Sequence, residues 1–196
     1  MPADISQLLR KLEGQSRCVS HSLPREVSIL KKYLVKAFIE MLNDNKSAFL
    51  RTSYSFLLNW EEAEDAVSNA VLKAYQHLPQ LRGIGKMKSW FYGILVNECK
   101  DVLRKQKQLQ YVDFDIVETT VAETDEDRRE DMSELYQFIY QLEPEFREVI
   151  ILFYFEGFRG KEIAKMLGIP EGTVKSRLSR AKRKLKSFLE DYSQEV

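Results

Sequence analysis

A chain of 196 residues has room for one domain or two small ones, and a hydrophobic share of 44% against 31% charged residues separates it from disordered and membrane-embedded chains. No apolar run approaches the roughly 20 residues needed to cross a bilayer, and the N-terminus carries no secretory pattern, so a cytoplasmic protein is expected. The formal net charge is zero but unevenly placed: residues 113–134 hold ten acidic side chains against Arg128 and Arg129, whereas residues 173–187 hold seven basic ones and no acid.

Apolar residues recur at helical spacing almost throughout and no window keeps a period of two, which predicts an all-α protein. The first helix follows Asp4, a fitting cap, with Ile5, Leu8, Leu9 and Leu12 on one face and Gly14 as its stop. A second over 26–42 gathers Ile29, Leu30, Tyr33, Leu34, Ala37, Phe38 and Met41, and a third covers 48–58. Beyond Asn59 and Trp60 comes a helix with an acidic start, which suits the positive end of its dipole. Its apolar side is Ala63, Ala66, Val67, Ala70, Val71, Ala74 and Tyr75, and Pro79 ends it. The loop LRGIGKMK then opens a helix over 89–105 with Phe91, Ile94, Leu95, Cys99 and Val102 as its core stripe. Residues 106–130 are polar, acidic and poor in spaced apolar residues, which predicts a flexible linker.

Past the linker, Leu135, Phe138, Ile139 and Leu142 start a second helical unit that turns at Glu143 and Pro144. Phe146, Val149, Ile150 and Phe153 form the next stripe, ended near Gly157. A helix over 161–167 closed by Gly168 and a longer basic one over 170–189 make a helix-turn-helix signature. At 100° per residue, Val174, Leu178, Ala181, Leu185 and Phe188 of the last helix fall on one stripe. The opposite arc holds Lys175, Ser176, Ser179, Arg180 and Arg183, flanked by Arg177, Lys182, Lys184 and Lys186. Arg and Lys pair with guanine O6 and N7, and Ser bonds to bases or phosphates, so this arc has the chemistry to read a major groove. A merely solvated helix would mix signs, whereas Arg180 with Lys184, and Lys182 with Lys186, place like charges four apart, a repulsion that a polyanion relieves.

Other chemistries find little support. Cys18 and His21 have a metal-like spacing, but only His77 and Cys99 remain to complete a site, so no metal and no cofactor are expected, and the two cysteines imply reduced thiols. GIGK at 83–86 lacks the preceding strand of a phosphate loop. No nucleophile stands with a base and no carboxylate pair marks a catalytic loop, so the chain is not expected to be an enzyme. Trp90, Phe91 and Tyr92 point in different directions along a helix, so at least one packs, and Asn97 taken alone reads as a solvated side chain.

The stretch KEIAKMLGIPEGTVKSRLSRAKRKL, together with NWEEAEDAVSNAVLKAYQHL and LRGIGKMKSWFYGILVNECKDVLRK upstream, resembles the bacterial RNA polymerase sigma factors of the extracytoplasmic-function class, in the sigma-70 superfamily, over about 29–189. The resemblance implies a promoter-specificity factor for the RNA polymerase core with two small helical domains joined by an acidic flexible linker. Their expected bounds are 29–108 and 134–196, with an N-terminal extension over 1–28 and the linker over 109–133. It implies that Lys175, Ser176, Ser179 and Arg180 read the minus-35 promoter element, the arc the wheel also selects with Arg183. It implies further that the minus-10 element is melted and one base is flipped against 81–88 and 90–101, which hold Arg82, Lys86, Lys88, Trp90, Asn97 and Asp101, with Asn97 as a base contact. The helix carrying Glu61, Glu64, Asp65, Ser68 and Asn69 would dock on the clamp helices of the largest polymerase subunit, Asp65 matching an acidic family position. In the family the linker threads acids into the polymerase channel, and an anti-sigma factor is a common partner.

Departures from the pattern are specific. Ser68 and Asn69 stand where the family commonly has Gln-Glu, which removes a charge from the expected polymerase-facing surface. Arg159-Gly160 replaces a Ser-aromatic pair at the start of the first helix of the helix-turn-helix, a lost cap of about 1 kcal/mol. Residues 1–28 have no assigned counterpart. The alternatives are a simple helix-turn-helix activator or repressor, which would not need the 63–105 stretch, a sigma-like decoy that only sequesters an anti-sigma factor, and a nucleic-acid-processing enzyme.

Overall fold

A computed structural model of the chain describes residues 25–81, 83–110 and 134–195, and among these the regular structure is entirely helical. The helix expected after Asp4, Cys18 with His21, Arg82, and the acidic stretch 111–133 lie outside the described residues.

Helix α1, Arg25–Asp44, buries Val35, Phe38, Ile39 and Leu42, the i, i+3, i+4, i+7 pattern of a helix with one inward face. Tyr33, expected on that face, is exposed instead. Asn45 breaks the chain direction, its Nδ2 donating to the Met41 carbonyl at 2.8 Å. Helix α2, Lys46–Leu57, is buried nearly all round from Thr52 to Leu57 and forms the centre of the molecule. It stops at Leu58, a left-handed residue with φ 53° whose N–H donates to the Tyr54 carbonyl. Helix α3, Trp60–His77, starts on a side-chain cap: Asn59 Oδ1 accepts from the Glu62 N–H at 3.1 Å. Its buried side is alanine-rich (Ala63, Ala66, Ala70, Ala74), which lets neighbouring helices approach closely.

Two short tight turns, Leu78–Gln80 and Ile84–Lys86, connect to helix α4, Met87–Gln110. Gly83 between them has φ 102°, a conformation that favours glycine. Helix α4 begins two residues before the expected Ser89 and continues through 106–110, which were expected to open the linker. Gln106 Nε2 holds that last stretch by donating to both carboxylate oxygens of Glu62, at 2.7 and 2.9 Å.

The C-terminal half comprises α5, Glu134–Gln141, and α6, Pro144–Ile150, then a widened helical turn over Ile151–Phe155, α7, Gly160–Leu167, and α8, Glu171–Glu195. Arg147 is buried, its Nη1 donating to the carbonyl of Tyr140 at 2.9 Å, with the Leu142 carbonyl at 3.4 Å, so that it closes the end of α5. Burial lowers the pKa of this guanidinium, which nonetheless stays charged. The widened turn, whose hydrogen bonds span five residues, rotates the chain away from the 100° register. Phe153, expected in the core, faces outward with Tyr154 and Phe155, while Leu152 stays buried. Gly157, at φ 73°, then returns Phe158 to the interior.

The core is shared between the halves. Phe49 of α2 lies 4.6 Å from Phe91 and 5.1 Å from Tyr92, ring centre to ring centre, and Phe158 of the C-terminal half lies 4.8 Å from Tyr92. Val149, Leu152, Ile163, Met166, Leu167 and Val174 belong to this same cluster. A second, smaller core joins Ile139, Leu142, Phe146, Ile150 and Ile151 to Ala181 of α8.

Candidate nucleic-acid interface

Helix α8 is presented by the turn before it. Gly168, at φ 69°, donates its N–H to the Ala164 carbonyl and ends α7, and Pro170 accepts from the N–H groups of Thr173 and Val174, at 2.9 and 3.2 Å, to start α8. Val174 and Ala181 are fully buried, with Leu178, Leu185 and Phe188 packed beside them, as the wheel predicts. Lys175, Ser176, Ser179, Arg180 and Arg183 are all exposed on the opposite side. At the start of α7 the Arg159 N–H donates to Glu162 Oε2 at 3.0 Å. Arginine has no acceptor to return the bond, so the capping exchange is half made.

Acids temper the basic helix. Lys175 lies 3.5 Å from Glu171, Lys186 lies 3.3 Å from Glu190, and Lys184 pairs with Glu143, whose carboxyl is held below the usual carboxylate range by that hydrogen bond. The like-charge strain read from the sequence is therefore partly relieved within the chain. Exposed pairs of this kind are worth at most about 1 kcal/mol, so a lysine can leave one for a phosphate or a base.

A second locus lies on α4. Lys86, Trp90 and Asn97 line one cavity of about 820 Å³, along with Gln80, Leu81 and Ser89. Trp90 is half-buried against the main core while also facing the cavity, so it both packs and lines, and Asn97 is exposed. The structure does not bring Lys88 or Asp101 to this cavity. Lys88 lies 3.5 Å from Glu156, and Asp101 is 3.0 Å from Arg104 along its own helix. The opposite wall is Lys161, Glu162, Lys165 and Met166 of α7, which sequence reasoning did not foresee, because no local pattern encodes which helix packs across from α4.

On α3, Glu61, Asp65 and Asn69 are exposed and Glu64 is half-buried. Ser68 is buried, at 6% exposure, so it is not part of an exposed acidic surface, and the departure noted at Ser68-Asn69 reaches solvent only through Asn69. Glu98 of α4, also buried, takes the ammonium of Lys73 at 2.5 Å and ties α3 to α4, and that hydrogen bond raises the lysine pKa.

A short helix, a glycine turn and a long helix with its cations turned outward define a DNA-binding protein of the helix-turn-helix class, here joined to a second helical body with a basic and aromatic cleft between the two. Residues 41–108 match the family described as Sigma-70 region 2, and residues 132–185 match Sigma-70, region 4. Over 152 residues the chain is 35% identical to RNA polymerase sigma factor SigV of Bacillus subtilis (strain 168), covering 77% of this chain and 90% of that one. It is 28% identical to ECF RNA polymerase sigma factor SigW of the same organism, over 86% of this chain and 97% of SigW. The fold is similar to sigma factor RpoE of Bartonella quintana, solved in complex with the anti-sigma factor NepR, with a TM-score of 0.65 and 28% identity over 79% of this chain and 98% of that one. It also resembles the fold of CnrH, solved with the cytosolic domain of CnrY, with a TM-score of 0.58 and 20% identity over 93% of this chain and 97% of that one. The chain belongs to the extracytoplasmic-function sigma factors of the sigma-70 family.

Proposed function

We propose that this chain binds the RNA polymerase core and directs it to a distinct set of promoters, as a recognition subunit without catalytic chemistry of its own. The observation that carries the reading is the exposed arc Lys175, Ser176, Ser179, Arg180 and Arg183 over a buried stripe in the second helix of a helix-turn-helix. That arc enters the major groove at the minus-35 element, where Arg180 and Lys175 are placed to bond guanine and the serines to bond bases or phosphates. The cavity bearing Lys86, Trp90 and Asn97 takes a separated strand of the minus-10 element, with a cation for the backbone, a ring for stacking and an amide for a base edge. Helix α3 offers Glu61, Glu64, Asp65 and Asn69 to the clamp helices of the largest subunit. The units 29–108 and 134–196 act as the two DNA-contacting domains. An anti-sigma factor is a further expected partner, a reading supported by the complex of RpoE with the anti-sigma factor NepR, and the site of action is the cytoplasm.

Core binding separates this function from that of a decoy for an anti-sigma factor. Mixed with purified bacterial core polymerase, the chain is expected to co-elute with it on size exclusion, and Asp65→Arg to lose that co-elution. A chain that binds DNA or an anti-sigma factor but never core would overturn the reading.

A further inference from the structure

The C-terminal half packs against α4 in two ways: α7 forms the other wall of the cavity to which strand capture is assigned, and Glu156 meets Lys88 and Tyr92 beside that cavity. Glu156 is the centre of this contact. Its side chain is only 4% exposed, and it accepts a hydrogen bond from the Tyr92 hydroxyl, lies 3.5 Å from Lys88 Nζ and has Thr52 Oγ1 3.5 Å from its other oxygen. Burial, then the adjoining carboxylate, pushes the Tyr92 hydroxyl far above its ordinary pKa, which keeps it a donor. A second cation of α4 is held in the same manner: Lys100 Nζ donates to the Leu167 carbonyl at 2.6 Å, at the C-terminal, partially negative end of α7. Between these two anchors α7 walls the cavity of Lys86, Trp90 and Asn97 with Lys161, Glu162, Lys165 and Met166.

The local backbone is built for this placement. The widened turn Ile151–Phe155 ends on the Glu156 N–H, bonded to the Ile151 carbonyl at 3.1 Å, and the left-handed Gly157 follows. These two features aim the carboxylate of Glu156 at α4 while Phe158 turns in against Tyr92. A buried carboxylate is stable only while its partners hold it, and all three (Tyr92, Lys88 and Thr52) lie in the N-terminal half.

We propose that Glu156 is an intramolecular latch: through Lys88, Tyr92 and Thr52 it adds to the shared apolar core in keeping the two halves closed, and so holds α7 over the strand-binding cavity until the halves separate. This rests on the assignment of the minus-10 strand to α4. In the closed form the minus-35 arc of α8 stays exposed, so the latch would gate strand capture and leave duplex contact free.

The test uses the full chain with Cys18→Ser and dyes at Gln76→Cys and Ser187→Cys, both exposed positions, one in each half. The latch predicts high energy transfer in the parent, a partial loss in Glu156→Gln and a larger one in Glu156→Lys, which sets a like charge beside Lys88. Anisotropy with a labelled mixed-sequence single strand of about 12 nucleotides, within the usual site size, reads the consequence. If the closed form holds nine-tenths of the molecules, opening tightens strand binding roughly tenfold. Tyr92→Phe, which removes one bond to Glu156 and keeps the ring, should shift both readouts in the same direction and serves if a Glu156 variant does not fold by circular dichroism. Unchanged transfer in the folded variants overturns the latch. So does lost transfer with unchanged strand binding. Asn97→Ala in the opened background keeps the two claims apart: if it weakens strand binding, the assignment to α4 stands whatever becomes of the latch, and if strand binding ignores Asn97, Lys86 and Trp90 alike, that assignment fails first.

Discussion

Arg180 and Lys175 face solvent over the same turns of α8 but differ in chemistry. Arginine presents a planar fork that matches guanine, while Lys175 is a point charge already near Glu171. Arg180→Ala is therefore expected to cost about 1–3 kcal/mol of discrimination between promoters if the side chain reaches a base edge. Equal weakening on all sequences, measured by competition with mutated minus-35 duplexes, would demote it to a phosphate contact. Cys99 is a residue for which the prediction is inertness: it is fully buried, and burial pushes its thiol up to about 12, so almost no thiolate forms in mildly alkaline solution. Cys99 is expected to escape iodoacetamide until denaturant is added, which peptide mass mapping would read. Rapid labelling of Cys99 in the native protein would show that α4 opens locally.

At the scale of elements, two stops carry the geometry. Asn59 caps α3 through the Glu62 N–H, and Asn59→Ala should cost about 1 kcal/mol of stability. Gly168 sets the angle between α7 and α8. An added Cβ there meets no atom within 4 Å, so Gly168→Ala isolates the backbone cost of φ 69°, about 1–2 kcal/mol. Thermal unfolding of both variants tests this, and a Gly168→Ala protein as stable as the parent would mean the turn can relax. The Gly168 stop was legible in the sequence because glycine stops and 3.6-residue spacing are local, whereas the Asn59 cap went unread beside the acidic start that follows it. The outward turn of Phe153 was not legible, since five consecutive apolar or aromatic residues fit an ordinary helix equally well and only packing selects the widened turn. The extra length of α4 was missed for a related reason: Gln106 is polar, and what keeps it helical is Glu62, 44 positions away.

The molecule as a whole departs from the chain of beads its charge pattern suggests. Two helical units flanking an acidic stretch were readable in the sequence, and so was the basic arc of α8, because both follow from composition and period. That Phe158, Ile163 and Val174 would join the core of the N-terminal half was not, nor that Glu156 would meet Lys88, Tyr92 and Thr52, since such pairings are long-range and leave no periodic trace. The same holds for Ser68, whose place on a helix wheel gives no hint of what covers it. Function at this scale requires both halves at once, one anchoring on duplex and the other holding a separated strand, with polymerase supplying the chemistry. The most direct measurement is permanganate reactivity of unpaired thymines on a promoter fragment selected by the reconstituted holoenzyme. The account predicts that core plus this chain unpairs the minus-10 region, that core alone does not, and that Asn97→Ala keeps duplex minus-35 binding while losing most of the reactivity. A holoenzyme that binds the fragment yet leaves every thymine protected, or an Asn97→Ala chain that opens it as fully as the parent, would contradict it.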